Sequence, residues 1–231
     1  MSSDPAPAFP AATVMVLRPG PDGFELLMVR RPDRGAFGGL MVFPGGKVEP
    51  VDKMPLSRRV VSSTTTDHKT RSAALRELAE ETGLLVTTRG VVSSPDFRGE
   101  ALWRAVIEAG HTIPGDDLIL VSRWLTPEIS RRRFDTRFYL LSVTDPPEVR
   151  LDTEELTAYA WITPLEALAR NADGEWPMIL PTISHLRWLS GRASIEDARS
   201  AASGADGLTI IAPRQTEDGS LLPIYTPADE L

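Results

Sequence analysis

The chain of 231 residues contains no cysteine. That absence removes disulfides, thiolate zinc sites, iron–sulfur clusters and cysteine nucleophiles at one stroke. Histidine is scarce too: His68, His111 and His185 stand far apart without ligand spacing and are expected to be structural or surface groups. Any metal must therefore sit on oxygen or on those three side chains. Long apolar runs are missing, since none approaches the roughly 18 residues of a membrane span, and no membrane partner is expected. Positive charge is in deficit, with 25 basic against 32 acidic side chains and a formal net charge of -7. Nucleic acid is thereby disfavoured as a partner, because phosphate neutralisation drives that binding. An anionic small substrate would need a local cationic site or a metal. The start carries no basic region followed by an apolar one, and Asp229-Glu230-Leu231 is no peroxisomal address, so a cytoplasmic location is the expectation. Neither a Gly-x-Ser-x-Gly nucleophile motif nor a Gly-x₄-Gly-Lys-[Ser/Thr] phosphate loop occurs, and covalent catalysis is not indicated.

What is present points to a single domain over 1–231 with a flexible lead at 1–9. Apolar, β-branched runs at 11–17 and 24–29, separated by Pro19-Gly20-Pro21-Asp22-Gly23, predict two strands and a tight turn. Residues 35–46 hold five glycines and close on Pro44-Gly45-Gly46, a loop that needs unusual backbone angles. Residues 53–68, polar and rich in Ser and Thr, are expected to be an exposed excursion. A helix is predicted over 70–82 with Gly83 as its stop, and a second over 95–109. Strands follow at 118–124, 137–143 and 156–162, then helices at 164–170, 181–189 and 194–202. Strands and helices mix without strict alternation, which favours an α+β domain over a doubly wound one.

The helix over 70–82 carries the chemistry. Glu77, Glu80 and Glu81 lie at i, i+3 and i+4 and share one face. Like charges so placed repel, and their position near a helix C-terminus, where the dipole is negative, adds to the repulsion. A solvated acidic face is the plain alternative. Hard oxygen ligands in this arrangement suit Mg²⁺ or Mn²⁺, which bind a few carboxylates and also reach substrate phosphates.

The stretch Phe43-Pro44-Gly45-Gly46, Asp52, Arg76-Glu77, Glu80-Glu81-x-Gly83-Leu84 resembles the Nudix box. From Arg76 onward the match is complete. In the first half Asp52 stands where the box has Glu, and residues 53–68 look like an insertion within it. The resemblance implies a Nudix fold, a mixed sheet sandwiched between helices with extra C-terminal helices, and hydrolysis of a diphosphate linked to another group. It also implies roles. Glu77 and Glu81 would be principal metal ligands with Glu80 assisting, the Gly46 carbonyl a further ligand, and Arg76 the residue that holds the carboxylates. Asp52 or Asp67 would brace Arg76. Trp161-Ile162-Thr163-Pro164-Leu165-Glu166-Ala167-Leu168 resembles a later family segment, and Glu155 ahead of it would be an extra ligand or the general base.

Leu26-Leu27-Met28-Val29-Arg30-Arg31 and Gly39-x-x-x-Phe43-Pro44-Gly45-Gly46 resemble the signature of coenzyme A diphosphatases, although Met28, Arg31 and Gly35 depart from it. The interrupted box, Arg133-Phe134-Asp135-Thr136-Arg137-Phe138 and Leu180-Pro181-Thr182 are similar to the branch that holds the peroxisomal members. The implied substrate is coenzyme A or an acyl-coenzyme A, giving 3′,5′-ADP and (acyl-)phosphopantetheine. Arg30, Arg31 and Arg34 would bind its 3′-phosphate and Phe43 would line the site. Alternatives are another small nucleotide diphosphate (a nucleotide sugar, a dinucleotide or a nucleoside triphosphate) or a Nudix-fold binding module without turnover. Trp103, Trp124, Trp161, Trp176 and Trp188 are expected to pack in the core or at edges. The closing helices would serve a homodimer, a common family arrangement.

Overall fold

The computed structural model describes residues 6–34, 38–204, 210–215, 221–222 and 225–226. Its strands are β1 (Ala8–Gly20), β2 (Gly23–Arg30), β3 (Met41–Val42), β4 (Gly45–Lys47), β5 (Val61–Ser62), β6 (Leu84–Thr87), β7 (Gly90–Ser93), β8 (Ile113–Pro114), β9 (Ile119–Leu125), β10 (Arg133–Ser142), β11 (Ala158–Ile162) and the short β12 (Ile210–Ile211), β13 (Arg214–Gln215), β14 (Leu221–Leu222) and β15 (Tyr225–Thr226). The α-helices are α1 (Pro55–Val60), α2 (His68–Thr82), α3 (Gly99–Glu108), α4 (Pro164–Ala172), α5 (Leu180–Ser190) and α6 (Ile195–Ser203).

The main sheet runs β11-β2-β1-β10-β9-β12-β15, with β3 on β2 and β4 on β1. It is mixed, since β1 is parallel to β10 but antiparallel to β2 and β4. Length lets β1 serve both of the latter, pairing with β4 over Ala11–Thr13 and with β2 over Leu17–Gly20. Successive side chains on a strand point to opposite faces, and β1 shows the consequence. Ala12, Val14 and Val16 join a core with Ala73, Ala74, Leu75 and Leu78 of α2 and Leu102, Trp103 and Val106 of α3. Met15 and Leu17 join the opposite core with Ala167 of α4, Leu186 and Leu189 of α5, and Ala198 and Ala202 of α6. The sheet is thus sandwiched between helices, the Nudix arrangement, with helices added after β11.

Three expectations are corrected. The segment 53–68 is not wholly an exposed excursion: α1 and β5 bury Ser57, Val60 and Val61 and β5 pairs in parallel with β8, while Lys53, Pro55, Arg58, Arg59, Ser62 and residues 64–66 stay exposed. Its polar residues alternate with apolar ones that a composition average hides. The lead is shorter than 1–9, because β1 begins at Ala8, while residues 1–5 lie outside the described residues. The helix expected from 95 begins at Gly99, where a φ of 54° marks the turn into α3. The hairpin of β6 and β7 adds strands that no sequence pattern announced. Gly35, in the glycine-rich stretch, also lies outside the described residues. No helix among the described residues is long and apolar enough to cross a membrane.

Candidate active site

Helix α2 is almost wholly enclosed, and its small residues explain how. Ala73, Ala74 and Ala79 let the helix lie close against β1 and β4, and Gly83 ends it in the left-handed conformation (φ 71°), donating its N–H to the Ala79 carbonyl. The carboxylates of the last turns are therefore delivered to the floor of a cleft.

Arg76 ties that floor together. It is 2% exposed, and its guanidinium grips Asp52 with two bonds, Nε to Oδ1 at 3.1 Å and Nη2 to Oδ2 at 3.0 Å. Nη2 also donates to the Lys47 carbonyl at 3.0 Å, while Nη1 meets Glu77 at 3.0 Å and Glu80 at 3.1 Å. Of the two candidates for the brace, Asp52 is the one in contact. It is itself held by the Ser72 hydroxyl and the Glu49 N–H. Asp67 instead sits at the start of α2 with Arg71 and Tyr139.

The β4 strand is pressed between α2 and β1, so that glycine is required at one contact with each. A Cβ at Gly46 would lie 2.5 Å from the Glu77 carboxylate, and one at Gly45 would lie 2.4 Å from the Ala12 carbonyl. The Gly45 N–H donates to Glu81 Oε2 at 2.9 Å. Arg31 reaches the same place, donating to the Gly45 carbonyl at 2.9 Å and pairing with Glu81 at 3.4 Å. Glu80 turns aside, accepting from the Gly99 N–H at 2.6 Å as well as from Arg76.

Across the cleft the segment after β10 brings in a third carboxylate. Its backbone is fastened to the end of α2, with the Arg150 N–H on the Thr82 carbonyl and the Asp152 N–H on that of Glu81. Ligand oxygens of Glu77, Glu81 and Glu155 then lie within 4.8 Å of one another. Burial and mutual repulsion leave their mark: Glu81 is pushed up to about 8 and Glu77 to about 7, each chiefly by burial. The Arg31 guanidinium opposes the rise at Glu81, as Arg76 does at Glu77. Three hard oxygen donors converging at one point, two of them burdened by unneutralised charge, fit a divalent cation such as Mg²⁺ or Mn²⁺. Gly46 borders the same point through its contact with Glu77.

These groups occupy part of a cleft of about 1030 Å³, the size of a large ligand site. The remainder is walled by Phe43, by Trp124, Leu125, Ile129 and Phe134 of the β9–β10 hairpin, and by Ile179–Thr182 at the start of α5. Arg34 lines it too, donating to the Glu154 carbonyl at 3.1 Å. The structure does not bring every expected group here. Arg30 is not among the residues lining the cleft and pairs with Asp33 at 3.4 Å. Arg31 is at the carboxylates and not with Arg34 at the rim. Sequence reasoning missed Arg98, which lines the cleft and pairs with Glu155 at 2.8 Å. The turn residues Pro95 and Gly99 around it were a usable signal, hidden by reading the stretch as continuous helix. Trp103 is core as expected, whereas buried Trp124 also borders the cleft. His185 is buried against Phe138, bonded to Ser122 and Pro181 and held neutral down to about 4 by burial, a structural role.

Residues 8–180 match the family model described as NUDIX domain. The chain is 33% identical over 175 residues to nudix hydrolase 7 of Caenorhabditis elegans, covering 72% of this chain and 56% of that protein. It thus spans little more than half of that relative's length. Over 277 aligned positions it is 28% identical to the acyl-coenzyme A diphosphatase NUDT19 of Homo sapiens, covering 92% of this chain and 73% of that one. Among solved structures, a NUDIX hydrolase from Alicyclobacillus acidocaldarius superposes with a TM-score of 0.74 at 31% identity, covering 84% of this chain and 96% of that one.

Proposed function

The chain belongs to the Nudix family, and from that premise we propose that it hydrolyses a diphosphate linkage with the help of a divalent metal, its substrate being coenzyme A or an acyl-coenzyme A. The observation that carries the proposal is the convergence of Glu77, Glu81 and Glu155 within 4.8 Å on one side of a cleft whose other walls combine apolar side chains such as Phe43, Trp124, Leu125 and Ile129 with the guanidinium groups of Arg34 and Arg132. Such a site takes a molecule with a charged diphosphate and a long, less polar remainder. The human relative's name, an acyl-coenzyme A diphosphatase, supports the same substrate class.

Glu77 and Glu81 would hold the metal, with one oxygen of Glu155 and the Gly46 carbonyl assisting, while Glu80, bonded to Arg76 and the Gly99 N–H, would orient the group. When bound, Mg²⁺ or Mn²⁺ supplies charge neutralisation along the diphosphate and alignment of the attacking water. Arg76 keeps the carboxylates at one point, since Asp52 anchors it on the opposite side. Arg31 offers its guanidinium to a diphosphate oxygen beside Glu81. Glu155, less buried than its neighbours, takes the proton of the water as oxygen attacks phosphorus and the anhydride P–O bond breaks. Arg34 at the rim offers the cation for the 3′-phosphate, and Phe43 with the apolar walls accommodates the adenosine or the pantetheine arm.

Mass spectrometry of products tests this. Wild type and Glu81→Gln would be incubated with coenzyme A, acyl-coenzyme A, ADP-ribose, NADH, a dinucleoside polyphosphate and nucleoside triphosphates, with Mg²⁺ or Mn²⁺. Release of 3′,5′-ADP from coenzyme A by wild type alone is the expected result. Turnover of another substrate would reject the coenzyme A reading and keep the site, and no turnover across the panel would overturn the proposal in favour of a binding role.

A further inference from the structure

Glu155 occupies an electrostatically awkward place. It shares the cleft with Glu77 and Glu81, both buried and both negative when ionised, and its own side chain is 41% exposed. Left to Coulomb's law it would swing out into water, where nothing opposes it. The opposing group is Arg98, at the entry to α3, whose Nη1 donates to Glu155 Oε1 at 2.8 Å while Nη2 meets Asp152. The next residue, Gly99, donates its N–H to Glu80 at 2.6 Å. Two successive residues of one turn thus hold two different carboxylates, one from α2 and one from the segment after β10.

From this juxtaposition we infer that Arg98 is a positioning residue, which keeps Glu155 beside Glu77 and Glu81 and does so by contact with Glu155, not with the reacting atoms. The inference rests on the proposed metal-dependent reading of the same site. Its physical basis is that the two tasks in this segment are separate. The backbone is secured without Arg98, by the Arg150 and Asp152 N–H bonds to the end of α2 and by the fully buried Leu156. What the backbone does not decide is the direction of the Glu155 side chain. A single exposed ion pair contributes little. Here the pair does not stand alone, because Gly99 beside Arg98 holds Glu80 and so ties the turn that carries Arg98 to the carboxylates of α2. Because Arg98 is itself half-exposed and the segment is anchored elsewhere, its removal leaves the fold intact.

The test is a double-mutant cycle with Arg98→Ala, Glu155→Gln and the pair, supplemented by Arg98→Lys. Two quantities are read in the full-length protein: kcat and KM with the substrate that wild type turns over, and Mn²⁺ affinity by calorimetry without substrate. Outer contacts to metal ligands are typically worth on the order of 10–100-fold in affinity or activity, and a fall of that order in kcat and in Mn²⁺ affinity is expected for Arg98→Ala, with KM little changed. Arg98→Lys should recover part of the loss. In the Glu155→Gln background, Arg98→Ala should add nothing to either quantity. Additive losses, or a rise in KM with kcat unchanged, would overturn the inference by showing direct substrate contact. An Arg98→Ala protein equal to wild type would overturn it as well. Wild type that binds no Mn²⁺ and turns over nothing would instead remove the underlying reading of the site, an outcome distinct from either.

Discussion

The two ends of helix α2 are both buried and both ionic, yet they are built on opposite principles. At the start, Asp67 meets Arg71 at 2.8 Å and accepts from the Tyr139 hydroxyl, which also pairs with Thr70, and Arg71 donates to the carbonyls of Gly115 and Leu118. One carboxylate faces one guanidinium, and hydrogen bonds hold Asp67 below its ordinary value although burial opposes them. At the far end the carboxylates of Asp52, Glu77, Glu80, Glu81, Asp152 and Glu155 share the guanidinium groups of Arg31, Arg76 and Arg98, and Glu77 and Glu81 are pushed up. Balance marks the structural end. An excess of one sign, retained in a buried place, marks the end proposed above to take a cation.

The sharpest way to separate the ends is to neutralise one acid at each. Glu81→Gln is expected to bring turnover to background, whereas Asp67→Asn should leave kcat within a few-fold of wild type in any fraction that remains folded, measured by steady-state assay beside circular dichroism. Comparable losses of kcat in the two variants would break the distinction.

Removing the brace comes next. Asp52→Asn leaves Arg76 buried with weakened partners, and breaking a buried pair costs about 3–5 kcal/mol, to be read from the midpoint of urea denaturation. Since Arg76 also orders Glu77 and Glu80, kcat should fall in the same variant at temperatures where it is folded. A stable and fully active Asp52→Asn protein would contradict the arrangement.

Metal and pH give a smaller, signed effect. For Glu77 and Glu81 the folded value is raised above the ordinary 4.5, so the folded state holds more protons than the unfolded one between pH 4.5 and about 8. In the metal-free protein these two groups therefore make stability decline as pH rises through that window. Asp67, shifted the other way, stabilises at neutral pH, and that contribution is lost on acidification below its ordinary 3.8. Scanning calorimetry at pH 5 and pH 8 should show the decline in wild type and a weaker one in Glu81→Gln. Mn²⁺ at about 100 times its Kd should restore roughly 2.7 kcal/mol to wild type at pH 8 and little to the variant. A metal-free protein equally stable at both values would undo the account of the far end.

The smallest effect is expected at Arg30. Its exposed pair with Asp33 lies outside the cleft, and Arg30→Ala should change stability by under about 1 kcal/mol and KM by less than twofold, against a clear rise in KM for Arg34→Ala. A KM effect at Arg30 equal to that at Arg34 would restore the three-arginine reading.

Much of this is legible in the sequence. The apolar, β-branched runs of β1 and β2, the acidic face of α2 and its Gly83 stop are local patterns, and local patterns survive in sequence. Residues 53–68 were misjudged because the burial of Val60 and Val61 depends on α1 and on β8, some 50 positions away. Arg98 went unnoticed for the same reason, since its partners lie more than 50 residues downstream.

By itself the sequence determined the chemistry available to this protein: no thiolate ligand, three carboxylates on one turn of helix, glycines beside them, a helix stop just beyond. These are consequences of residue type and of spacings within a few turns. Only the tertiary structure decided that Asp52 and not Asp67 grips Arg76, that Glu155 joins the carboxylate cluster and meets Arg98, and that Arg30 is not among the residues lining the cleft. Those outcomes depend on which distant strands and loops meet, and charges pair with whatever folding brings within a few ångström.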